Sequence, residues 1–184
     1  MKLETKRLIL RKPRKGDVND FIEGMNNLKI SKWLAKVPYP YKKKDALWFI
    51  NHCKKKDNYS FNIELKAEKK LIGGIGLHAY DEFNESAEIG FWVNEKYWRQ
   101  GILSEASMAL IDFGFKKLKL NRLVQKAYVG NRASNLVAKK FGYKLEGTER
   151  KSAKAKATGK IHDCNVYGML KNEWPKNKKR LKRK

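Results

Sequence analysis

The sequence has little of what marks several large classes of protein. It has only two cysteines in 184 residues, Cys53 and Cys164, and neither lies in a spacing typical of a metal site. No apolar run is long enough to span a bilayer, and the first residues lack the apolar segment of a secretory signal. These absences argue against a disulfide scaffold, a metal site and a membrane protein, and we expect a cytoplasmic location.

Acidic residues are also scarce, since 19 Asp and Glu stand against 43 Lys and Arg, for a net charge of +24. A field of this sign draws a protein to nucleic acid or ribosomes without specificity. Residues 176–184 are almost wholly basic, and we expect a disordered tail there. The alternative interpretation is that the positive charge has no function and reflects a proteome in which many proteins are rich in lysine. The even spread of the lysines along the chain favours this alternative.

The composition is nevertheless that of a folded protein, at 41% hydrophobic and 11% aromatic residues, and we expect one domain over residues 1–175. Hydrophobic periodicity predicts strands at 7–11, 59–65, 71–77, 87–93, 123–129 and 161–170, and helices at 17–25, 29–35, 43–55, after Gly101 and at 131–140. Asp17 is the expected N-cap of the first helix. Residues 150–160 are basic and low in complexity, which predicts a flexible connection between the last two strands.

A strand, a glycine turn and a helix follow one another from residue 87 to beyond residue 106. This order turns a helix N-terminus into an anion site, because free backbone N–H groups and the positive dipole end point at the ligand together. Gly101 lets the backbone approach that ligand, and Arg99 adds a positive charge. The alternative is an ordinary strand-to-helix turn without a ligand.

Four segments in this order resemble blocks characteristic of the GNAT N-acetyltransferase superfamily, in particular its branch of Rim-type ribosomal-protein N-terminal acetyltransferases. They are residues 5–11, 87–92, 98–106 and the block that runs from Asn131 to Gly147. The resemblance implies an α/β fold of the α+β type, with a central mixed, mostly antiparallel, twisted sheet of about seven strands flanked by helices. It also implies acetyl-CoA as co-substrate, without a metal.

The resemblance further implies where the co-substrate lies. The pyrophosphate would lie over backbone amides of the turn, at Arg99, Gln100, Gly101, Ile102, Leu103 and Ser104. Backbone groups of Trp92 and Val93 would pair with the pantetheine arm, and Asn131 would bind it from the other side. The turn departs from the usual superfamily pattern at Trp98, which is ordinary for this branch, and at Leu103, which is bulkier than usual.

Two residues are candidates for the chemistry. Glu88 matches a catalytic glutamate of related acetyltransferases, and burial would raise its pKa toward that of a useful base. The alternative is an ion pair with a nearby cation. Ser134 is the candidate hydrogen-bond donor to the leaving sulfur, because Ala138 occupies the position where many members carry a tyrosine. The alternative is a helix-capping serine.

Some Rim-type members carry a glutamate base before the last strand, but residues 151–158 contain no acid. His162 and Asp163 are nearby substitutes, although a structural role is more typical of such positions.

The expected reaction is acetylation of a primary amine, foremost the N-terminal α-amine of a ribosomal protein. Two alternatives stay open: acetylation of a small amine such as an antibiotic or amino acid, and a non-catalytic module associated with ribosomes or RNA. The fold does not choose among them. We expect no membrane partner, and a monomer or a homodimer.

Overall fold

The computed structural model describes residues 1–55 and 58–182 and places most elements where the periodicity predicts them. The strands are β1 (Lys2–Glu4), β2 (Leu8–Arg11), β3 (Tyr59–Leu65), β4 (Lys70–Asp81), β5 (Ser86–Val93), β6 (Arg122–Tyr128), β7 (Lys144–Lys154) and β8 (Ile161–Leu170). The helices are α1 (Val18–Met25), α2 (Leu28–Ser31), α3 (Lys43–His52), α4 (Ile102–Lys116), α5 (Arg132–Phe141) and α6 (Trp174–Lys182). α2 and α3 are shorter than predicted.

The strands form one open sheet in the order β1-β2-β3-β4-β5-β6-β8-β7. Within residues 1–55 and 58–182, β5 and β6 are the only neighbouring strands that run parallel, and the others pair antiparallel. The predicted mixed, mostly antiparallel sheet flanked by helices is therefore confirmed. The sheet has eight strands rather than about seven, because β1 is too short to produce a recognisable pattern.

Side chains of β5 alternate between two packed faces. Ala87 and Ile89 are buried in the larger core, which they share with α4. Trp92 belongs to the second core and packs on Phe21 of α1, with ring centroids 6.1 Å apart. Glu88 alternates with Ala87 and Ile89 and therefore lies on the same face as Trp92. A carboxylate thus lies in the middle of β5, on the face that carries Trp92.

Asp17 occupies the N-cap position of α1 as predicted, but its side chain makes no capping hydrogen bond. Its carboxylate is buried and accepts hydrogen bonds from the Arg11 guanidinium at 2.7 and 2.8 Å and from Asn62 Nδ2 at 2.7 Å. Arg11 also donates to Glu64 at 2.5 Å. A buried charge needs such partners, and strand residues distant in sequence supply them here.

The connection between β7 and β8 also differs from the prediction. β7 continues to Lys154, so only residues 155–160 link the two strands. The N–H of Lys156 donates to the Ala35 carbonyl at 3.0 Å. The hairpin is therefore held against the segment that follows α2.

The predicted disordered tail was wrong as far as residue 182, because α6 continues through it. Trp174 anchors the helix: it is 3% exposed, lies near-parallel to Phe141, and its indole N–H donates to Asp112 at 2.7 Å. Lys178 also binds Asp112. Residues 183 and 184, the end of the predicted tail, lie outside the described residues.

Candidate active site

The parallel strands β5 and β6 pair over only three residues. The pairing runs from Ser86 with Arg122 to Glu88 with Val124, whereas β5 pairs with β4 as far as Val93. Beyond Glu88 a gap therefore opens between β5 and β6. An extended ligand that carries amides could pair with the exposed strand edges there.

Strand alternation identifies which groups face this gap. The N–H of Asn94 donates to Ile72 of β4 at 2.9 Å, and the Glu85 carbonyl accepts from Asn121 at the start of β6 at 2.8 Å. The backbone N–H and C=O groups of odd-numbered residues in β5 therefore point toward β6. In the gap, those residues include Phe91 and Val93. The expected backbone contact from Trp92 is corrected, because its backbone faces β4.

The gap leads toward the turn that precedes α4. Gly101 has φ +74° and Arg99 has φ +61°, so both lie in the left-handed region. That conformation is costly for arginine and is typical of functional turns. The first helical hydrogen bond runs from Glu105 N–H to the Gly101 carbonyl at 3.0 Å, which leaves the N–H groups of the first turn free of helical partners.

The remaining predicted turn residues occupy different depths. Gln100 is exposed and Ser104 is half-buried. Ile102 is buried, and Leu103 packs against the larger core. The Leu103 side chain thus points inward, and its bulk does not cover the backbone amides of the turn.

Two cations that sequence reasoning missed lie at the turn. The Arg7 guanidinium donates to the Gln100 carbonyl at 2.9 Å and to Glu105 at 2.7 Å. Lys140, near the end of α5, donates to the Ser104 hydroxyl at 2.8 Å. With Arg99 they make the start of α4 electropositive, which suits a phosphate group. Their placement depends on contacts across the fold, and the sequence carries no local signal for it.

Glu88 is half-buried at the point where the gap opens. Burial raises the pKa of its carboxyl group, and Glu149 adds to this effect while Lys126 and Lys36 oppose it. Lys126 is paired with Glu149 at 2.8 Å, and no ion pair to Glu88 occurs within residues 1–55 and 58–182. The alternative of a fixed Glu88 ion pair is therefore not realised.

Ser134 and Asn131 lie at the start of α5. The Asn131 side-chain oxygen accepts from the Ser134 N–H at 3.2 Å, so Asn131 is the cap and only its NH₂ group remains for a ligand. Gln125 of β6 donates to the Ser134 carbonyl at 2.9 Å and to its hydroxyl oxygen at 3.2 Å. A hydroxyl that accepts from Gln125 keeps its own hydrogen available for another acceptor.

His162 and Asp163, which the sequence suggested in place of a glutamate base, both have structural partners. His162 stacks on Tyr128 with ring centroids 4.5 Å apart. Asp163 accepts from the Lys151 N–H at 2.7 Å and so fixes the hairpin. Ala138 is fully buried in the larger core.

His78 is a further polar residue beside Glu88 that sequence reasoning missed. It pairs directly with Glu88 across β4 and β5, so the two side chains share a face. Although its side chain is exposed on one side, surrounding protein lowers the pKa of His78, and Lys36 and His52 lower it further. Counting back from the hairpin pair of Asp81 with Ser86 would bring residue 79 opposite Glu88, and a bulge between His78 and Asp81 shifts the pairing to His78. The sequence therefore carried no signal for this pairing.

The described part of the chain holds no group of three His, Cys, Asp or Glu side chains arranged for a metal ion. It also holds no helix with the length and apolar character needed to cross a membrane.

Comparison with known proteins gives a family and several relatives. Residues 7–144 match the acetyltransferase (GNAT) domain model. The N-acetyltransferase p20 of Bacillus licheniformis, itself uncharacterised, is 30% identical over 175 residues, which cover 94% of this chain and 97% of that protein. The ribosomal-protein-serine acetyltransferase of Escherichia coli is 42% identical over 80 residues, 44% of this chain and 45% of that protein.

A solved structure shares the fold. RimL, a ribosomal L7/L12 α-N-protein acetyltransferase solved with coenzyme A, superposes with a TM-score of 0.82 at 22% identity, over 92% of this chain and 98% of that one.

Proposed function

The chain belongs to the GNAT acetyltransferase family, and we propose that it transfers the acetyl group of acetyl-CoA to the N-terminal α-amine of a protein, foremost a ribosomal protein. The observation that carries this proposal is the β5–β6 gap, which begins at Glu88 and leads to the electropositive turn before α4. A slot for an extended arm, with an anion site at one end and a carboxylate at the other, suits a phosphate-bearing thioester and an amine.

The co-substrate would be held mainly by backbone groups. Free N–H groups from Arg99 to Ser104 would bind the pyrophosphate, and Arg7 and Lys140 would add positive charge. Phe91 and Val93 would pair with the amides of the pantetheine arm from the β5 side. The Asn131 NH₂ group would reach the arm from the α5 side.

The chemistry requires a neutral amine and a stabilised leaving sulfur. Acetyl-CoA supplies an acyl group that is already activated as a thioester. Glu88 would accept the proton of the acceptor's ammonium group, directly or through a water, and its raised pKa brings it closer to that of an α-amine. The Ser134 hydroxyl, held by Gln125, would donate a hydrogen bond to the sulfur as negative charge develops there.

An α-amine fits this site better than a lysine side chain. Its pKa is about 8, against about 10.4 for lysine, so a modest base can deprotonate it at neutral pH. The named activities of the Escherichia coli relative and of RimL are both on ribosomal proteins. The net charge of +24 would favour encounter with ribosomes.

Two measurements, made one after the other, test the proposal. The first is the melting temperature with and without millimolar acetyl-CoA, with plain CoA for comparison. A ligand at 100 times its dissociation constant stabilises by about 2.7 kcal/mol. We expect a shift of several degrees with both, and no shift would overturn the co-substrate assignment.

The second measurement is mass spectrometry of a serine-initiated hexapeptide incubated with enzyme and acetyl-CoA. Matched acceptors are the same peptide blocked at its N-terminus but carrying a lysine, and a free amino acid. We expect acetylation of the free N-terminus only. Transfer confined to the lysine or the amino acid would refute the acceptor class while leaving the acetyltransferase reaction in place.

A further inference from the structure

The His78 imidazole lies over the backbone of β5 at Gly90. A Cβ added to Gly90 would come within 3.0 and 3.1 Å of the Cδ2 and Nε2 atoms of the ring. Any larger residue at position 90 would therefore force the imidazole to shift by a few tenths of an ångström. The glycine makes room for the ring two residues beyond Glu88, on the same face of the sheet.

A bulge follows His78 directly. The register between β4 and β5 shifts between His78 and Asp81, and Ala79 has φ +46°. A left-handed alanine is costly, and bulges are frequent beside active sites, where they re-aim a side chain. The glycine at position 90 and the bulge after His78 thus both help to position the imidazole ring.

We propose that His78 is a second proton-accepting residue of the acceptor site, and that its imidazole takes a proton from the acceptor's ammonium group. The proposal rests on the proposed function and deepens it. It names a residue that meets the incoming amine in addition to Glu88.

The step balances as a simple proton transfer followed by acyl transfer. One N–H bond of the ammonium breaks, its electron pair stays on the nitrogen, and the proton binds the free ring nitrogen of His78. The nitrogen lone pair then forms the bond to the acetyl carbon, and the carbon–sulfur bond breaks with its electrons on sulfur. The imidazolium afterwards releases its proton to solvent.

The groups around His78 favour its neutral, proton-accepting form. Lys36 faces it from the segment after α2, and His52 faces it from α3. Glu88 is its partner on β5. Surrounding protein, Lys36 and His52 all lower the pKa of His78, which favours the neutral imidazole.

His78→Gln tests the proposal, with Glu85→Gln in the exposed turn before β5 as the control. At pH 7 we expect His78→Gln to lower kcat/KM for the serine-initiated hexapeptide about 100-fold. The neutral fraction of an α-amine with a pKa of about 8 rises about tenfold between pH 7 and pH 9, so the deficit should shrink to about tenfold at pH 9. The control should stay within about twofold of the wild type at both pH values.

Either of two results would overturn the proposal: wild-type kcat/KM for His78→Gln at pH 7, or an equal deficit at pH 7 and pH 9. The second result would mean that the ring has only a packing role. Gly90→Ala provides a second variant, which should reproduce the pH-dependent deficit by displacing the ring. Gly147→Ala, where an added Cβ meets nothing within 4 Å, is its control.

Imidazole NMR separates this proposal from the proposed function. With CoA bound, His78 signals should shift on addition of the free-amine hexapeptide and stay unchanged with its N-acetylated form. If the wild type acetylates no amine, the proposed function fails, and the NMR result still decides whether an amine reaches His78. If the wild type acetylates the peptide and His78 signals do not respond, only the His78 proposal fails.

Discussion

The guanidinium of Arg7, just before β2, donates a hydrogen bond to the backbone carbonyl of Gln100 in the turn before α4, at 2.9 Å. The same group binds Glu105 in the first turn of that helix. The N-terminal segment therefore holds the turn in place from outside. It also places the Arg7 guanidinium, paired with Glu105, beside the turn proposed to bind the pyrophosphate.

Arg7→Ala should weaken acetyl-CoA binding, because it removes both the charge and the support of the turn. We expect the dissociation constant to rise about tenfold, which corresponds to about 1.4 kcal/mol. Isothermal titration calorimetry measures it, and Lys6→Ala removes the same charge from the neighbouring exposed position. If Arg7→Ala and Lys6→Ala raised the dissociation constant equally, acetyl-CoA binding would depend on the net charge of the protein and not on the position of Arg7.

Ser134→Ala should lower kcat about 100-fold, because a hydrogen-bond donor to the developing thiolate is lost. The melting temperature should stay near that of the wild type, since Asn131 is the residue that caps α5. Ser134→Thr keeps the hydroxyl and should retain most of the activity. A loss of acetyl-CoA affinity with unchanged kcat would instead assign Ser134 to binding.

Glu88→Gln should stabilise the fold at pH 7 while reducing activity. Burial raises the pKa of Glu88, so the folded state binds this proton more tightly than the unfolded state does. Ionisation of Glu88 therefore costs stability as pH rises through that range. We expect a higher melting temperature at pH 7, a gain that disappears below about pH 4, and kcat/KM lowered about 100-fold.

Glu85→Gln is the control for this pair of effects, because Glu85 lies exposed in the turn before β5. It should leave both stability and kcat/KM unchanged. A destabilised Glu88→Gln variant would mean that the carboxylate is a structural partner.

Asp17→Asn should destabilise the protein by about 1.5–3 kcal/mol at pH 7, because Arg11 would lose one of its two carboxylate partners and keep only Glu64. Burial opposes ionisation of Asp17, but its hydrogen bonds with Arg11 and the Arg14 backbone outweigh burial and lower its pKa. This stability is therefore present above about pH 3.9, the unfolded value, and is lost as pH falls through the lower folded value.

Urea denaturation at pH 7 and pH 3 measures the Asp17 effect. The difference between Asp17→Asn and wild type should narrow in acid. Asp81→Asn is the surface control, since Asp81 bonds only within its own turn, to Asn84. If the difference in unfolding free energy between Asp17→Asn and the wild type were the same at pH 7 and pH 3, the ionised Asp17 carboxylate would not be what stabilises the fold.

Lys178→Ala should loosen α6, because Lys178 binds the half-buried Asp112. A loss of about 1 kcal/mol corresponds to a fall in melting temperature of about 2–4 °C for a chain of this size. Lys179→Ala removes an equal charge from the exposed face of the same helix and should have no effect. Identical melting temperatures for both variants would show that Trp174 alone anchors α6.

The sequence predicted local features well where one pattern dominates. The strand at 87–93, the glycine turn before α4 and the start of α5 at Asn131 are all read from neighbouring residues. Errors arose where a distant partner changed a local preference. Asp17 suits an N-cap, yet Arg11 and Asn62 bind it instead. The basic C-terminal run lacks a core pattern of its own, yet Trp174 and Asp112 fix it as a helix.

The sequence by itself determined the order of strands and helices, the glycine turn before α4 and the identity of Glu88 and Ser134 as candidates, because these depend on residues close along the chain. Only the tertiary structure decided that Arg7 and Lys140 converge on the turn, that Phe91 rather than Trp92 faces the gap, and that His78 lies over Gly90 beside Glu88. The physical reason is that strand register and the end of β5–β6 pairing bring together groups far apart in sequence, and no local periodicity encodes those distances.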